Sequence, residues 1–313
     1  MKKKLITILL LVIAILFLWI LENEILDILI RLVGILCLTC VFLCVVFYVL
    51  KGRAVNIPMQ DKPRIEILRE YAAYDMKQKK HCSYRFELGK QPPAQLEKYG
   101  YAEWIKGLPA DSDELCFALF DFVCTNFHHD GSVSFCHGKR MADIIEACEA
   151  GGQKTNCRGL SMILAALLRM HHVKARHVTC MPYEQPFGDC HVVVDCLLPS
   201  GKRIMFDPTY YAYFTDKEGE YVSVRRLREI LLSGDALFEN KEASYNGEPF
   251  DKAHYIDYMS KNTFRFDAGR IYADVKEERV LGRIELVPKD YYTKFLRGRR
   301  GIVVNPDMFW DIV

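Results

Sequence analysis

The chain has 313 residues, 50% apolar and 26% charged, with only 19 glycines and 12 prolines. That composition excludes disordered, collagenous and low-complexity proteins. With 42 basic residues against 40 acidic ones, and 38 against 37 over residues 51–313, charge gives no case for nucleic acid as a partner.

Apolar residues crowd the N-terminus. Residues 5–21 (LITILLLVIAILFLWIL) and 33–50 (VGILCLTCVFLCVVFYVL) are uncharged runs of 17 and 18 residues. A membrane-spanning helix needs about 20, with about 17 at the short end, and Ile25–Ile30 can lengthen the second run. A polar break with Glu22, Asn23, Glu24, Asp27 and Arg31 separates them. No small-x-small cleavage site follows the first run, which weighs against a removed signal peptide. Residues 1–53 are therefore expected to form a transmembrane hairpin. Lys2–Lys4 precede it and Lys51 and Arg53 follow it, so the positive-inside rule places both ends and the remaining chain in the cytoplasm. The nine cysteines beyond these runs are odd in number and lack framework spacing, which suits free thiols in a reducing compartment.

Residues 51–63 (KGRAVNIPMQDKP) read as a linker opening the segment 54–110, which carries no firm periodic element. A helix is predicted over 112–127 from Leu115, Ala118, Leu119, Phe122 and Val123, capped by Asp111 or Ser112. A shorter helix, Lys139–Ala150, ends at Gly151-Gly152. The strongest helical pattern is 157–171, where Leu160, Ile163, Leu164, Leu167 and Leu168 share one face. The period then shortens. Val173–Cys180, His191–Leu198 and Arg203–Phe206 read as strands, the last two joined into a hairpin by the Pro199-Ser200-Gly201 turn. Val222–Leu232 returns to helix with Arg225, Arg226 and Arg228 expected on its exposed side. Arg283–Val287 and Gly301–Val304 are strand-like. Helices followed by a strand meander give an α+β fold, with a core over 111–215 and a helix and strands over 216–313 that complete the domain or cover a groove.

Cys157 opens the strongest helix, after GGQKTN. Unpaired N–H groups and the helix dipole stabilise a thiolate there, and the thiolate is the competent nucleophile. Its own N–H could hold an oxyanion, with the Gln153 amide as a candidate second donor. His191 begins a strand and by alternation shares a face with Val193 and Asp195. Asp207 closes the next strand in FDPTY, so antiparallel pairing through the Pro199–Gly201 turn brings it toward His191, where a carboxylate fixes the imidazole's tautomer. The plainer alternatives are a buried structural thiol, a core histidine and a turn-capping acid.

The segments NCRGLSMILAALLRMHHVKARHVTCMP and GDCHVVVDCLLPSGKRIMFDPTYY together resemble the core of the transglutaminase-like superfamily. The resemblance rests on Cys157 at a helix start, Ala175-Arg176-His177-Val178 in the following strand, His191 opening a strand and Asp207-Pro208 after the next. It covers 112–215, with Cys157, His191 and Asp207 separated by 34 and 16 residues. His172-Val173-Lys174 stands where the family often has Gly-Ile-Pro, and Val192 stands where an aromatic residue often follows the histidine. The resemblance implies a papain-like α+β core with Cys157 as nucleophile, His191 as base and acid, and Asp207 as orienter. It implies a protein or peptide substrate and no cofactor.

No Cys-x2–4-Cys pair lies beyond the apolar runs, so no metal is expected. His128-His129 and His171-His172 read as helix-end dipole partners or surface groups. The basic runs Lys77–Lys80 and Lys294–Arg300 read as solvated faces that could also meet an anionic leaflet. The expected function is a membrane-anchored cysteine enzyme transferring acyl groups from peptide or glutamine-type amides, by hydrolysis in preference to cross-linking. The alternative is an inactive module of the same fold that binds a protein partner at the membrane.

Overall fold

The computed structural model describes residues 2–22, 34–43, 55–78, 83–134, 140–272 and 282–312. The chain divides into two compact units, Met1–Ala54 and Val55–Val313. The first unit holds helix α1 (Lys2–Glu22) and a second helical stretch, α2 (34–43). Side chains of α1 are described at 8–17 and 19, and among them Ile8, Leu10, Leu11, Ile15, Phe17 and Trp19 are exposed. Among the described residues no helix is long and apolar enough to cross a membrane. The polar break at 23–31 and residues 44–50 of the second expected span lie outside the described residues.

The second unit is built on a sheet of six strands. They are β1 (Lys174–Met181), β2 (His191–Leu197), β3 (Arg203–Phe206), β4 (Arg265–Ala268), β5 (Ile284–Leu286) and β6 (Ile302–Val303). Their order is β6-β5-β4-β1-β2-β3. Every pairing is antiparallel except the parallel β5–β6 contact. β2 and β3 form the expected hairpin, with Leu197 opposite Arg203 and Gly201 at φ 84° in its turn. β4–β6 extend the sheet beyond β1, so the C-terminal residues share the core of the central ones.

Helices cover both faces. On one lie α4 (Asp113–Asn126), α5 (Met141–Ala150) and α6 (Cys157–Met170), packed on Ala175, Val194, Cys196, Ile204 and Phe206. On the other lie α3 (Arg64–Glu70), α7 (Val224–Ser233) and α8 (Lys252–Asn262), packed on Val178, Cys180, Val193, Met205 and Phe266. Odd and even positions of β2 thus enter different cores, as pleating requires. The last helix, α9 (Pro306–Trp310), adds Phe309 and Trp310 to the second core.

Two expectations change. The sequence gives α6 one apolar face, yet every residue from Gly159 to Met170 is buried, because α4 and α5 cover the side turned away from the sheet. Arg228 is not exposed. Its guanidinium lies over the Tyr74 ring, 4.6 Å from the centroid, and donates to the carbonyls of Tyr71 and Ala72 at 3.2 and 3.3 Å. Its charge is therefore partnered where burial would otherwise be costly.

Candidate active site

Cys157 is the first residue of α6. Asn156 caps the helix by accepting from the Gly159 N–H at 3.1 Å, and its amide donates to the Val133 carbonyl at 3.1 Å. The cap leaves the Cys157 N–H, which the helix itself cannot satisfy, at the positive end of the dipole. One turn on, the buried Ser161 hydroxyl donates to the Val192 carbonyl at 2.8 Å. That bond ties α6 to β2 at the residue after His191, and so sets the nucleophile's helix against the histidine's strand. Gly159 is required for the approach: a Cβ there would stand 2.1 Å from Thr155 Oγ1 and 3.0 Å from Thr155 Cβ.

His191 opens β2 and is buried, and its Nε2 lies 2.7 Å from Asp207 Oδ2. The same carboxylate oxygen accepts from the Tyr255 hydroxyl at 3.0 Å, while Oδ1 accepts from the Thr209 N–H at 3.1 Å. Asp207 is fully buried, so these three donors stand in for water around its charge. The His191 ring sits between Tyr210 and Tyr258, whose ring centroids lie 5.8 and 5.4 Å away.

Burial opposes ionisation of the Cys157 thiol, but the imidazoles of His129 and His191 outweigh it and bring the thiol down to about 6. Burial likewise opposes charge on His191, yet the Asp207 carboxylate, followed by Cys157, raises it to about 10. A thiolate beside an imidazolium is the form these shifts favour at neutral pH. Burial pushes Cys190 the other way, to about 11, and also pushes up Cys124, Cys180 and Cys196.

Of the residues singled out from the sequence, the structure brings together Cys157, His191 and Asp207. The Gln153 side chain accepts from the Tyr99 hydroxyl at 2.9 Å through its Oε1. His129 is the residue that sequence reasoning missed. Residues 128–129 pair in parallel with 154–155, so the chain leaving α4 runs beside the chain entering α6. A ladder of two residues is too short to show in hydrophobic periodicity. The His128-His129 pair was the only visible signal, and it read as a helix end. Tyr255 was also missed, because a buried tyrosine on a helix looks like any core aromatic.

A groove of about 430 Å³ opens beside the histidines, lined among others by His129, His191, Tyr210, Tyr245, Glu248 and Tyr258. The site thus combines a depressed thiol, a carboxylate-held imidazole and adjoining space for a substrate. Chemically it is equipped for attack by sulfur on a carbonyl and for proton delivery to a leaving group. Residues 100–208 match the family model of the transglutaminase-like superfamily, and the chain carries a domain of that superfamily with the α+β fold described above. No curated protein matches the sequence. Among solved structures, the chain is similar to a proposed cysteine protease from Cytophaga hutchinsonii, with 20% identity and a TM-score of 0.28. The likeness covers 47% of this chain and 46% of that one, so it spans less than half of that protein's length.

Proposed function

We propose that this protein is a membrane-anchored cysteine enzyme that cleaves peptide or glutamine-type amides through a Cys157 thioester. The observation that carries this is Cys157 at a helix N-terminus, its thiol brought down to about 6 beside a His191 whose Nε2 is 2.7 Å from a buried Asp207 carboxylate. In the proposed cycle the thiolate attacks the carboxamide carbon, forming a C–S bond and moving the π electrons to oxygen. The His191 imidazolium gives its proton to the nitrogen as the C–N bond breaks, leaving an acyl-enzyme and a neutral imidazole. Water then attacks the thioester, His191 takes its proton, and the thiolate departs. Asp207 holds the imidazole in the required tautomer. Hydrolysis is favoured over transfer to an amine because water is always present at high concentration.

Anchoring at a membrane, with residues 54–313 on the cytoplasmic side, is part of the same proposal. It is supported by the uncharged runs at 5–21 and 33–50. The exposed side chains of α1 support it too: Ile8, Leu10, Leu11, Ile15, Phe17 and Trp19 point in several directions around the helix, leaving it without one polar face. Retention in the membrane fraction after carbonate extraction tests the anchoring, and release into the supernatant removes it.

The catalytic proposal is tested by iodoacetamide labelling at each cysteine across pH, followed by mass spectrometry. Cys157 is expected to react fast near neutral pH and to slow when His191 is changed to Ala. A screen of peptide amides then reports turnover, which Cys157→Ser should abolish on an intact fold. Equal alkylation of Cys157 in wild type and His191→Ala would leave the fold as a binding module.

A further inference from the structure

We propose that His129 is a second catalytic imidazole, which donates a hydrogen bond first to the Cys157 sulfur and then to the substrate oxyanion, held in the donor form by the 244–249 hairpin. The proposal rests on Cys157 being the nucleophile, as argued above.

The backbone around His129 is fixed on two sides. Toward α6, the His128 N–H donates to the Gln153 carbonyl and the Asp130 N–H to the Thr155 carbonyl, both at 2.8 Å. This places His129 opposite Thr155, two residues before the nucleophile. On the other side stands a hairpin in which Ser244–Tyr245 pairs with Glu248–Pro249. Its turn is Asn246-Gly247, with φ 52° and 87°, the paired positive values that an Asn-Gly turn supplies at little cost. From that turn the Asn246 side chain grips His129 at both ends of its backbone. The His129 N–H donates to Asn246 Oδ1 and Asn246 Nδ2 donates to the His129 carbonyl, each at 2.9 Å. The neighbouring Tyr245 hydroxyl lies 2.9 Å from His129 Nδ1.

A phenol can donate to an unprotonated ring nitrogen or accept from a protonated one. In this assignment Tyr245 donates to Nδ1, which leaves the ring N–H on Nε2 for the thiol. His129 acts together with His191 to lower the Cys157 thiol, and the two histidines line the same groove. The two imidazoles therefore present opposite nitrogens and take different tasks. His191, with Nε2 committed to Asp207, carries the proton to and from substrate. His129 acts only as a hydrogen-bond donor. As the C–S bond forms and the carbonyl opens, its Nε2–H passes from sulfur to the new oxyanion beside the Cys157 N–H. On collapse it returns. It supplies the second oxyanion donor in this proposal.

The test uses the full chain with His129→Phe, which keeps the ring and removes the donor, and His129→Gln, which restores an N–H near the same place. Cys157 alkylation against pH and turnover of peptide p-nitroanilides are measured for both, with thermal melts to check the fold. His129→Phe should move the alkylation midpoint upward by about one unit or more, since each hydrogen bond to a thiolate favours it. It should also lower kcat by about 10²- to 10³-fold with little change in KM, the effect of losing one oxyanion donor. His129→Gln should recover a measurable part of both. A purely structural His129 would leave midpoint and kcat within about threefold of wild type on a folded protein, and that result overturns the proposal. If His129→Phe does not fold, Tyr245→Phe decides: it should still raise the midpoint, and an unchanged titration refutes the assignment. If His191→Ala also leaves Cys157 unchanged, it is the nucleophile reading that fails.

Discussion

Changing Asp207 to Asn removes one charge and no volume, and its consequence can be worked through the site. Asp207 is the first of the influences that raise His191 to about 10 against the opposing effect of burial. With an amide in its place, burial prevails and the imidazole is neutral at pH 7. The amide can still accept from the Thr209 N–H, but the atom facing His191 Nε2, now 2.7 Å from Oδ2, becomes a donor. That selects the tautomer protonated on the sulfur side, which can neither take a proton from Cys157 nor balance a thiolate. The thiol then climbs from about 6 toward its ordinary value of 9.0. At pH 7 the thiolate fraction falls from about nine-tenths to about one-hundredth, so Cys157 alkylation should slow by nearly 100-fold if all of the shift is lost. The influence of His129 retains part of it, so about 10- to 100-fold is the expected range. The assay is iodoacetamide labelling between pH 5 and 10, resolved by cysteine, with Cys190 as the internal standard because burial pushes its thiol up to about 11. An unchanged Cys157 profile on a protein that melts normally would refute the coupling between carboxylate, imidazole and sulfur.

Other outcomes follow from the same contacts. The ion pair exists above the Cys157 value of about 6 and below the His191 value of about 10. The kcat/KM profile should therefore be a bell whose acid limb protonates sulfur and whose alkaline limb discharges imidazole, both limbs belonging to the coupled pair; a monotonic profile contradicts this. Ser161→Ala removes the 2.8 Å bond to the Val192 carbonyl and should cost about 1–3 kcal/mol, read in a denaturant or thermal melt. Activity should fall with it, because the bond sets α6 against the start of β2. Gly159→Ala places a Cβ 2.1 Å from Thr155 Oγ1, so Thr155 must shift, and with it the 154–155 ladder that carries His129. Impaired activity with at most about 3 kcal/mol of lost stability is expected, and wild-type kinetics would show that the first turn of α6 tolerates the shift.

Much of this site was legible in sequence because local signals and tertiary demands coincide. Cys157 follows an Asn cap and precedes an apolar helix, β2 alternates between two cores, and the Pro199–Gly201 turn fixes which residues of β2 and β3 meet. Those three features suffice to bring His191 to Asp207. What was not legible depends on contacts distant in the chain. His129 reaches Cys157 through a ladder of two residues and a side-chain clamp from Asn246, 117 positions away. Arg228 looked exposed because its helix is amphipathic, yet it closes on the Tyr71 and Ala72 carbonyls, 157 and 156 residues earlier. Periodicity measures local pattern, so it is blind to partners of that kind.

The division of labour along the chain bears on what the smallest competent unit is. The segment 100–208 that matches the superfamily contains Cys157, His191 and Asp207. It lacks the groups that complete their environment. Tyr255 on α8 supplies one of the donors to the Asp207 carboxylate, and Tyr258 on the same helix flanks the His191 ring. Tyr245 and Asn246 hold His129. Removing α8 would leave a buried carboxylate short of a hydrogen bond and open the imidazole to water. The triad residues and the imidazoles that lower the thiol, His129 and His191, therefore come from the matched segment, while residues 244–258 supply side chains that hold Asp207 and His129 in place. A fragment ending near residue 208 would keep all three side chains and lose the Tyr255, Tyr245 and Asn246 contacts that position Asp207 and His129.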